Sequence, residues 1–330
     1  MNTKTLNFLR VGILALLSII IISCKDKNSG SLLPSATGAP FDVLITGDPV
    51  MWKDSAGRVL FDVLNEDMPG LPQSEPLFDI SFISEKDFSG IFKPVRNIIM
   101  FEINDKIYTQ GRITYSKNRW SKSQVIVKIT APDQREFIKT IRNKQNEFIS
   151  FLEMAERDRM HAYFVRYPNT EGAKIVEDLF GIQLTIPSFL NKYKTGKDFA
   201  WLSNGNTDLR QDVIVYSYPY QGQEDFKPEN LLWKRDSVLK KHIEGPSPNS
   251  YMTTEHRFDF TYKEMNVNGK YCILLRGLWR VEGDMMGGPF VSITFRDKEN
   301  NRMIAIEGFV YAPSNKKRNY VRQLESIFIL

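Results

Sequence analysis

The stretch KYCILLRGLWRVEGDMMGGPFVSITFRDKENNRMIAIEGFVY, Lys270 to Tyr311, holds three apolar runs separated by two turn-rich breaks. Its first run alternates. Arg276, Leu278, Arg280 and Glu282 fall on one side of an extended chain, and Gly277, Trp279 and Val281 on the other. The pattern predicts strands over 270–281, 289–296 and 302–311, with a hairpin turn at Glu299-Asn300-Asn301. Hairpin-connected strands pair antiparallel, since parallel pairing needs a long crossover.

Working outward, the same patterns predict strands at 41–46, 78–83, 97–103, 124–130, 182–186, 199–203, 212–217 and 256–262. Helices are expected over 54–65 and 228–242. A long helix after Ala131-Pro132 carries Phe137, Ile141, Phe148, Leu152 and Ala155 at helical spacing. Pro168 breaks it, Asn169 or Thr170 caps the next helix, and Gly181 ends that one. The expected class is α+β, mainly antiparallel sheets with packed helices. Both 126–148 and 304–328 read strand, Ala-Pro, helix, which raises a pair of related halves, 41–165 and 166–330. In the final helix, Lys316-Lys317-Arg318 sits where cations oppose the positive end of the helix dipole. Solvation of those side chains is the expectation, and an acidic partner the alternative.

Composition narrows the function classes. Apolar residues at 42%, charged residues at 25% and a formal charge of +5 describe a globular chain, not a disordered or collagen-like one. The charge is unclustered, so no nucleic-acid partner is expected. Two cysteines exclude a disulfide scaffold, and His161, His242 and His256 form no paired ligand spacing, so no metal or other cofactor is expected. Lys194-Thr195-Gly196 and Ser237-Val238-Leu239-Lys240 are elements of penicillin-recognising enzymes, but they stand in the wrong order with no S-D-N between them. Cys272 lies in an apolar strand and reads as a buried structural thiol.

The start of the chain is a targeting signal. Lys4 and Arg10 precede an apolar run, Val11 to Ile22, that is too short to span a membrane and ends at Ser23-Cys24. This resembles a bacterial lipoprotein signal, which implies cleavage after residue 23, lipidation of Cys24 and attachment to the membrane through that lipid. Losing Lys4 and Arg10 with residues 1–23 lowers the formal charge from +5 to +3. Residues 24–40 read as the lipidated cysteine and a Ser-, Gly- and Pro-containing tether. Lys25-Asp26 after the cysteine resembles a surface-export signal, interrupted here by Lys27.

Two segments stand out as candidate contact sites. Arg276 to Phe290 offers Arg276, Trp279, Arg280, Glu282, Asp284, Met285 and Met286 on a strand and a glycine-rich turn. An exposed Trp–Met patch would take a partner. The alternative is a plain connection whose methionines cap the core. Ser250 to Arg257 adds Glu255 and His256 among hydroxyls, suited to a polar ligand or to a hydrated strand edge.

Leu71-Pro72-Gln73, Val215 to Tyr220, Lys234 to Ser237, Ser250 to Glu255, Gly277 to Phe290 and Glu307 to Pro313 together resemble the Bacteroidota lipoprotein family called domain of unknown function 4837. The likeness runs from about Phe41 to Leu330. It implies an envelope lipoprotein and carries over no catalytic residue beyond the lipid site at Cys24. The expectation is therefore a lipid-anchored outer-membrane lipoprotein on the periplasmic or surface face, a non-catalytic binding or assembly module with an envelope protein or glycan as partner. The alternative is an envelope hydrolase or transferase acting on glycan or peptide through Glu282, Asp284 or His256.

Overall fold

The computed structural model describes residues 33–328; Cys24 and the targeting segment lie outside them. The first strand, β1 (Asp42–Gly47), is buried along almost its whole length, the signature of a strand covered on both faces. Two short helices follow, α1 (Pro49–Lys53) and α2 (Ser55–Leu64), capped by the Asp48 and Asp54 carboxylates. Strands β2 (Asp79–Ser84), β3 (Asn97–Ile103), β4 (Arg112–Lys117) and β5 (Val125–Ala131) complete a sheet of order β2-β1-β3-β5-β4. Only the β4–β5 pair is antiparallel; β1–β2, β1–β3 and β3–β5 are parallel.

Helix α3 (Gln134–Arg166) lays Phe137, Ile141, Phe148 and Leu152 into the core. It stops before Pro168, whose ring disfavours a helical residue ahead of it. Helix α4 (Thr170–Phe180) has Asn169 as its cap, accepting from Gly172 N at 2.9 Å, and Gly181 at φ +66° as its stop.

The second sheet is built from β6 (Lys192–Gly196), β7 (Phe199–Ser203), β8 (Arg210–Pro219), β9 (Tyr251–Thr254), β10 (Thr261–Val267), β11 (Lys270–Glu282), β12 (Gly287–Asp297) and β13 (Arg302–Tyr311). Its order is β10-β11-β12-β13-β8-β7-β6, with β9 also pairing β11, and every pair is antiparallel. The mixed α+β class expected from the sequence is the class observed. Helix α5 (Pro228–His242) packs Leu231, Leu232 and Leu239 on one face of this sheet, in a cluster with Tyr216, Trp279, Phe290 and Phe309. The opposite face, with Val213, Val215, Ile293, Ile304 and Ile306, belongs to a core continuous with that of the first sheet. Helix α6 (Arg318–Glu325) adds Val321 and Leu324 to this core.

Three expectations change. The first sheet is mostly parallel and the second wholly antiparallel, so the two halves share a strand–Pro–helix junction and not a topology. Residues 182–186 form no strand: Ile182, Leu184 and Ile186 are buried alternately without a ladder, which imitates the period of two. The segment expected as a strand over 256–262 is mostly a turn between β9 and β10, in which Phe258 N donates to Glu255 O, and only Thr261 and Tyr262 enter β10.

At the basic start of α6 only Lys316 is solvated as expected. Lys317 and Arg318 are buried, and the carboxylate of Glu75, itself 2% exposed, accepts from Lys317 N at 2.7 Å and Arg318 N at 2.9 Å. The Arg318 side chain donates to Pro76 O at 2.6 Å and pairs with Asp79. The Glu75 carboxylate of the first half thus caps the helix, and Asp79 of the same half supplies the counter-charge for Arg318. Cys272 is buried, and burial pushes its thiol above the ordinary range, which disfavours the reactive thiolate.

Candidate functional site

The structure separates the residues singled out in the sequence. Strand alternation in β11 holds, with Gly277, Trp279 and Val281 buried, but this puts Trp279 inside the protein. Its ring is 4% exposed, its Nε1 donates to Val310 O at 3.3 Å, and it meets Phe309 edge-on at 5.6 Å. Met285 is fully exposed, and Met286 is half-buried against the α5-side core. The exposed Trp–Met patch does not exist, because the indole fills the core while only Met285 projects.

The charged candidates are engaged separately. Arg276 is mostly buried and paired with Glu325. Arg280 pairs with Glu282, and the Asp284 carboxylate holds the β11–β12 turn by accepting from Met286 N at 3.2 Å and Ser247 Oγ at 3.1 Å. His256 Nε2 donates to Asp236 Oδ2 at 2.7 Å, while Asp236 Oδ1 accepts from Thr254 N and Oγ1. Glu282, Asp284 and His256 line neither of the two main clefts. Paired acid–base chemistry needs such groups to face one reacting atom.

Glu255 accepts from Arg257 Nε at 2.9 Å and from its backbone N at 3.1 Å, and Arg280 lies 3.9 Å away. Those hydrogen bonds, foremost the Arg257 side chain, hold its carboxyl at about 2, below the ordinary 4.5. The folded value lies below the unfolded one, so its contribution is complete above about 4.5 and is lost as pH falls toward about 2. Glu255→Gln should therefore flatten the acid limb of stability against pH in that window. Carboxyl NMR titration of Glu255 gives the direct check, and a midpoint near 4.5 would refute the assignment.

The site that does assemble lies at one end of the second sheet, on the α5 side, as a cleft of about 570 Å³. The β6–β7 register sets Lys194 opposite Trp201 and Lys192 opposite Ser203, so both lysines share the tryptophan's face. The β7–β8 hairpin adds Thr207 and Arg210, turning through Gly205 at φ +66°, with Asn206 Oδ1 accepting from the backbone of Asp208 and Leu209. Tyr311 closes the cleft from the end of β13 and Met286 from the β11–β12 turn. Of the residues expected from the sequence to form a contact site, Met286 alone lines it; Trp279 supports the floor from below, through contact with Tyr311 and Phe309.

Trp201 is oriented from beneath. Its Nε1 donates to Oδ1 of Asp212, a fully buried carboxylate, at 2.9 Å, and Arg210 Nε lies 3.0 Å from Oδ2 of the same group. Burial pushes the Asp212 carboxyl above the ordinary range, opposed by Arg210, Ser203 and Trp201. The Arg210 guanidinium stands 5.1 Å from the indole centroid and Lys194 Nζ 6.0 Å, so cations rim the aromatic surface. No acidic side chain lines the cleft among the described residues. Ser203 Oγ accepts from Gly205 N, and no histidine lines the cleft among the described residues. Indole, phenol and thioether surface within a ring of cations suits a ligand with one apolar face and a carboxylate or phosphate.

Fold and cleft define an α+β protein with a concave, cation-rimmed cleft on an antiparallel sheet. Residues 169–329 match the family described as domain of unknown function DUF4837, and this part of the chain belongs to that family. Residues 36–165, with the Leu71-Pro72-Gln73 stretch, match a separate family, domain of unknown function DUF8532. The two matches meet where α3 gives way to α4, and the cleft lies wholly within the DUF4837 part. Comparison with curated proteins gives no match. Among the described residues no helix is long and apolar enough to cross a membrane.

Proposed function

We propose that this chain is a lipid-anchored lipoprotein of the cell envelope, held at the outer membrane through Cys24, and that it works as a binding module. Its ligand is an acidic sugar or glycan: a ring face lies on Trp201 while its carboxylate or phosphate is taken by Arg210 and the β6 lysines. The observation that carries this reading is the indole fixed by a buried aspartate and rimmed by three cations, with no lining carboxylate. The anchor rests on the sequence signal ending at Cys24, and the tether that follows gives the folded part reach from the membrane.

The probe is trigalacturonate, with its neutral galactose counterpart as control, titrated calorimetrically into the full-length chain in nanodiscs. The acidic trisaccharide should bind, with affinity falling as salt rises. Trp201→Ala should cost about 2 kcal/mol, roughly a thirtyfold loss. Lys192→Gln should cost less, at most about 1 kcal/mol, because the lysine is a rim charge. Equal binding of the neutral sugar, or an unchanged Trp201→Ala, would overturn the reading. In cells grown with alkyne-palmitate the chain should take up label, and Cys24→Ala should abolish it.

A further inference from the structure

A second cleft, of about 680 Å³, runs between α3 and the end strand of the antiparallel sheet, β10. Three observations about it converge. First, β11 is the only strand that β10 pairs with among the described residues, and all seven β10 residues are exposed or half-exposed. Second, the cleft is lined by β10 residues of both parities. Lys263 and Met265 sit opposite Leu274 and Cys272, while Tyr262 and Asn266 sit opposite Leu275 and Tyr271. On β11 and β12 the cleft meets one face only, at Leu274, Arg276 and Ile293, whereas on β10 it meets both parities, so it runs over that face and out around the open edge of β10.

Third, the inner wall carries more unpartnered hydrogen-bond donors than acceptors. Arg276 pairs with Glu325, and Arg322 with Glu153 and Glu325, yet Arg276 Nη1 and Arg322 Nε are buried without a hydrogen-bond partner, as is one acceptor, Glu325 Oε1. Buried polar atoms are almost always satisfied, so the donor in excess leaves room for one further acceptor. The lining holds four cations, with Arg157 and Lys263 joining these two arginines, against three carboxylates, Glu153, Asp158 and Glu325. One positive charge is left over.

We infer that this cleft receives an extended peptide of a partner protein, which adds to the sheet along β10 and places one acidic side chain against Arg276 and Arg322. Strand addition fills the unpaired backbone of the edge, and the cleft takes the peptide's inward side chains. Phe41, Leu77, Leu274 and Ile293 form the apolar floor for those neighbouring the acid. The site is separate from the Trp201 cleft and does not depend on it.

The test pans a displayed library of random peptides of about twelve residues, longer than a typical strand, against the full-length chain in nanodiscs. Enriched sequences should alternate apolar and polar residues and carry one Asp or Glu at a fixed place. In a synthetic copy, N-methylation of alternate amides should weaken binding about tenfold or more in one parity and leave the other nearly unchanged. Amidating the acidic side chain should cost severalfold, Met265→Glu on the exposed strand should abolish binding with an unchanged circular dichroism spectrum, and trigalacturonate should not compete. Enrichment that survives Met265→Glu, no enrichment at all, or equal tolerance of both methylation patterns would overturn the inference. The last outcome would mark an apolar pocket without strand addition.

Discussion

Glu307→Ala is expected to lower stability by about 3–5 kcal/mol, the usual cost of stranding one partner of a buried ion pair. Glu307 is 0% and Arg235 1% exposed, and the two meet through a double hydrogen bond, Nε to Oε2 at 2.8 Å and Nη2 to Oε1 at 2.7 Å. Arg235 Nη1 also donates to Thr254 Oγ1 at 2.8 Å, and the guanidinium lies 3.7 Å from the Phe290 ring centroid. This one side chain therefore ties α5 to β13, β9 and β12. Removing the carboxylate leaves the buried guanidinium with only the more distant Asp236, 3.5 Å from Nη1, as counter-charge. The double variant Arg235→Met/Glu307→Leu should recover most of the loss, since matched apolar residues avoid the desolvation that the pair must overcome. Urea denaturation of the two variants decides it. A double variant no more stable than Glu307→Ala would show that the hydrogen bonds to Thr254 and the packing on Phe290, more than charge balance, hold α5 in place.

The counterpart in the first half is Glu156→Ala, with an expected cost of about 3–4 kcal/mol. Glu156 is 3% exposed on α3. Its Oε1 accepts from Asn97 Nδ2 at 2.6 Å and lies 2.7 Å from Arg159 Nη1, and its Oε2 lies 3.2 Å from Arg96 Nη1. Asn97 Nδ2 also donates to Asp42 O at 2.8 Å, so the carboxylate links α3 to β3 and β1 at once. Its loss leaves two guanidiniums facing each other across the gap. Because one continuous apolar cluster joins Val127 and Phe148 to Val215 and Ile306, both variants should shift a single unfolding transition. Two calorimetric peaks, with each variant moving only one, would show instead that the halves unfold independently.

The parts of the fold that could be read from the chain share a cause. Strands β11 to β13 announce themselves as three apolar runs separated by turn-rich breaks, with β12 and β13 buried along almost their whole length. Helix α5 does so because Pro228 opens it. Strands β4 and β6 escaped because they are edge strands made largely of exposed polar residues, RITYSK and KYKTG, whose stability comes from a neighbour and not from their own pattern. Residues 182–186 mislead in the opposite sense: their alternation is real, but no strand lies beside them. The Trp201 cleft was illegible for a related reason. Lys192, Lys194, Trp201, Arg210 and Tyr311 come from four strands, and only pairing register sets them on one face. Met286, expected in an exposed patch, serves instead as a half-buried wall. The long-range contacts of Glu75 with the Lys317 amide, of Glu156 with Asn97 and of Glu307 with Arg235 span 59 residues or more of sequence, beyond the reach of any local motif.

The Glu75 clasp on α6 has a consequence for the order of manufacture. Its carboxylate is made early, and the two amides that satisfy it follow 242 and 243 residues later. A growing chain leaves the ribosome from its N-terminal end, so the first sheet must wait, with an acid and an apolar surface unsatisfied, until the last helix emerges. A premature stop just ahead of Lys317 would remove only a short tail and yet leave the oldest part of the protein unfinished.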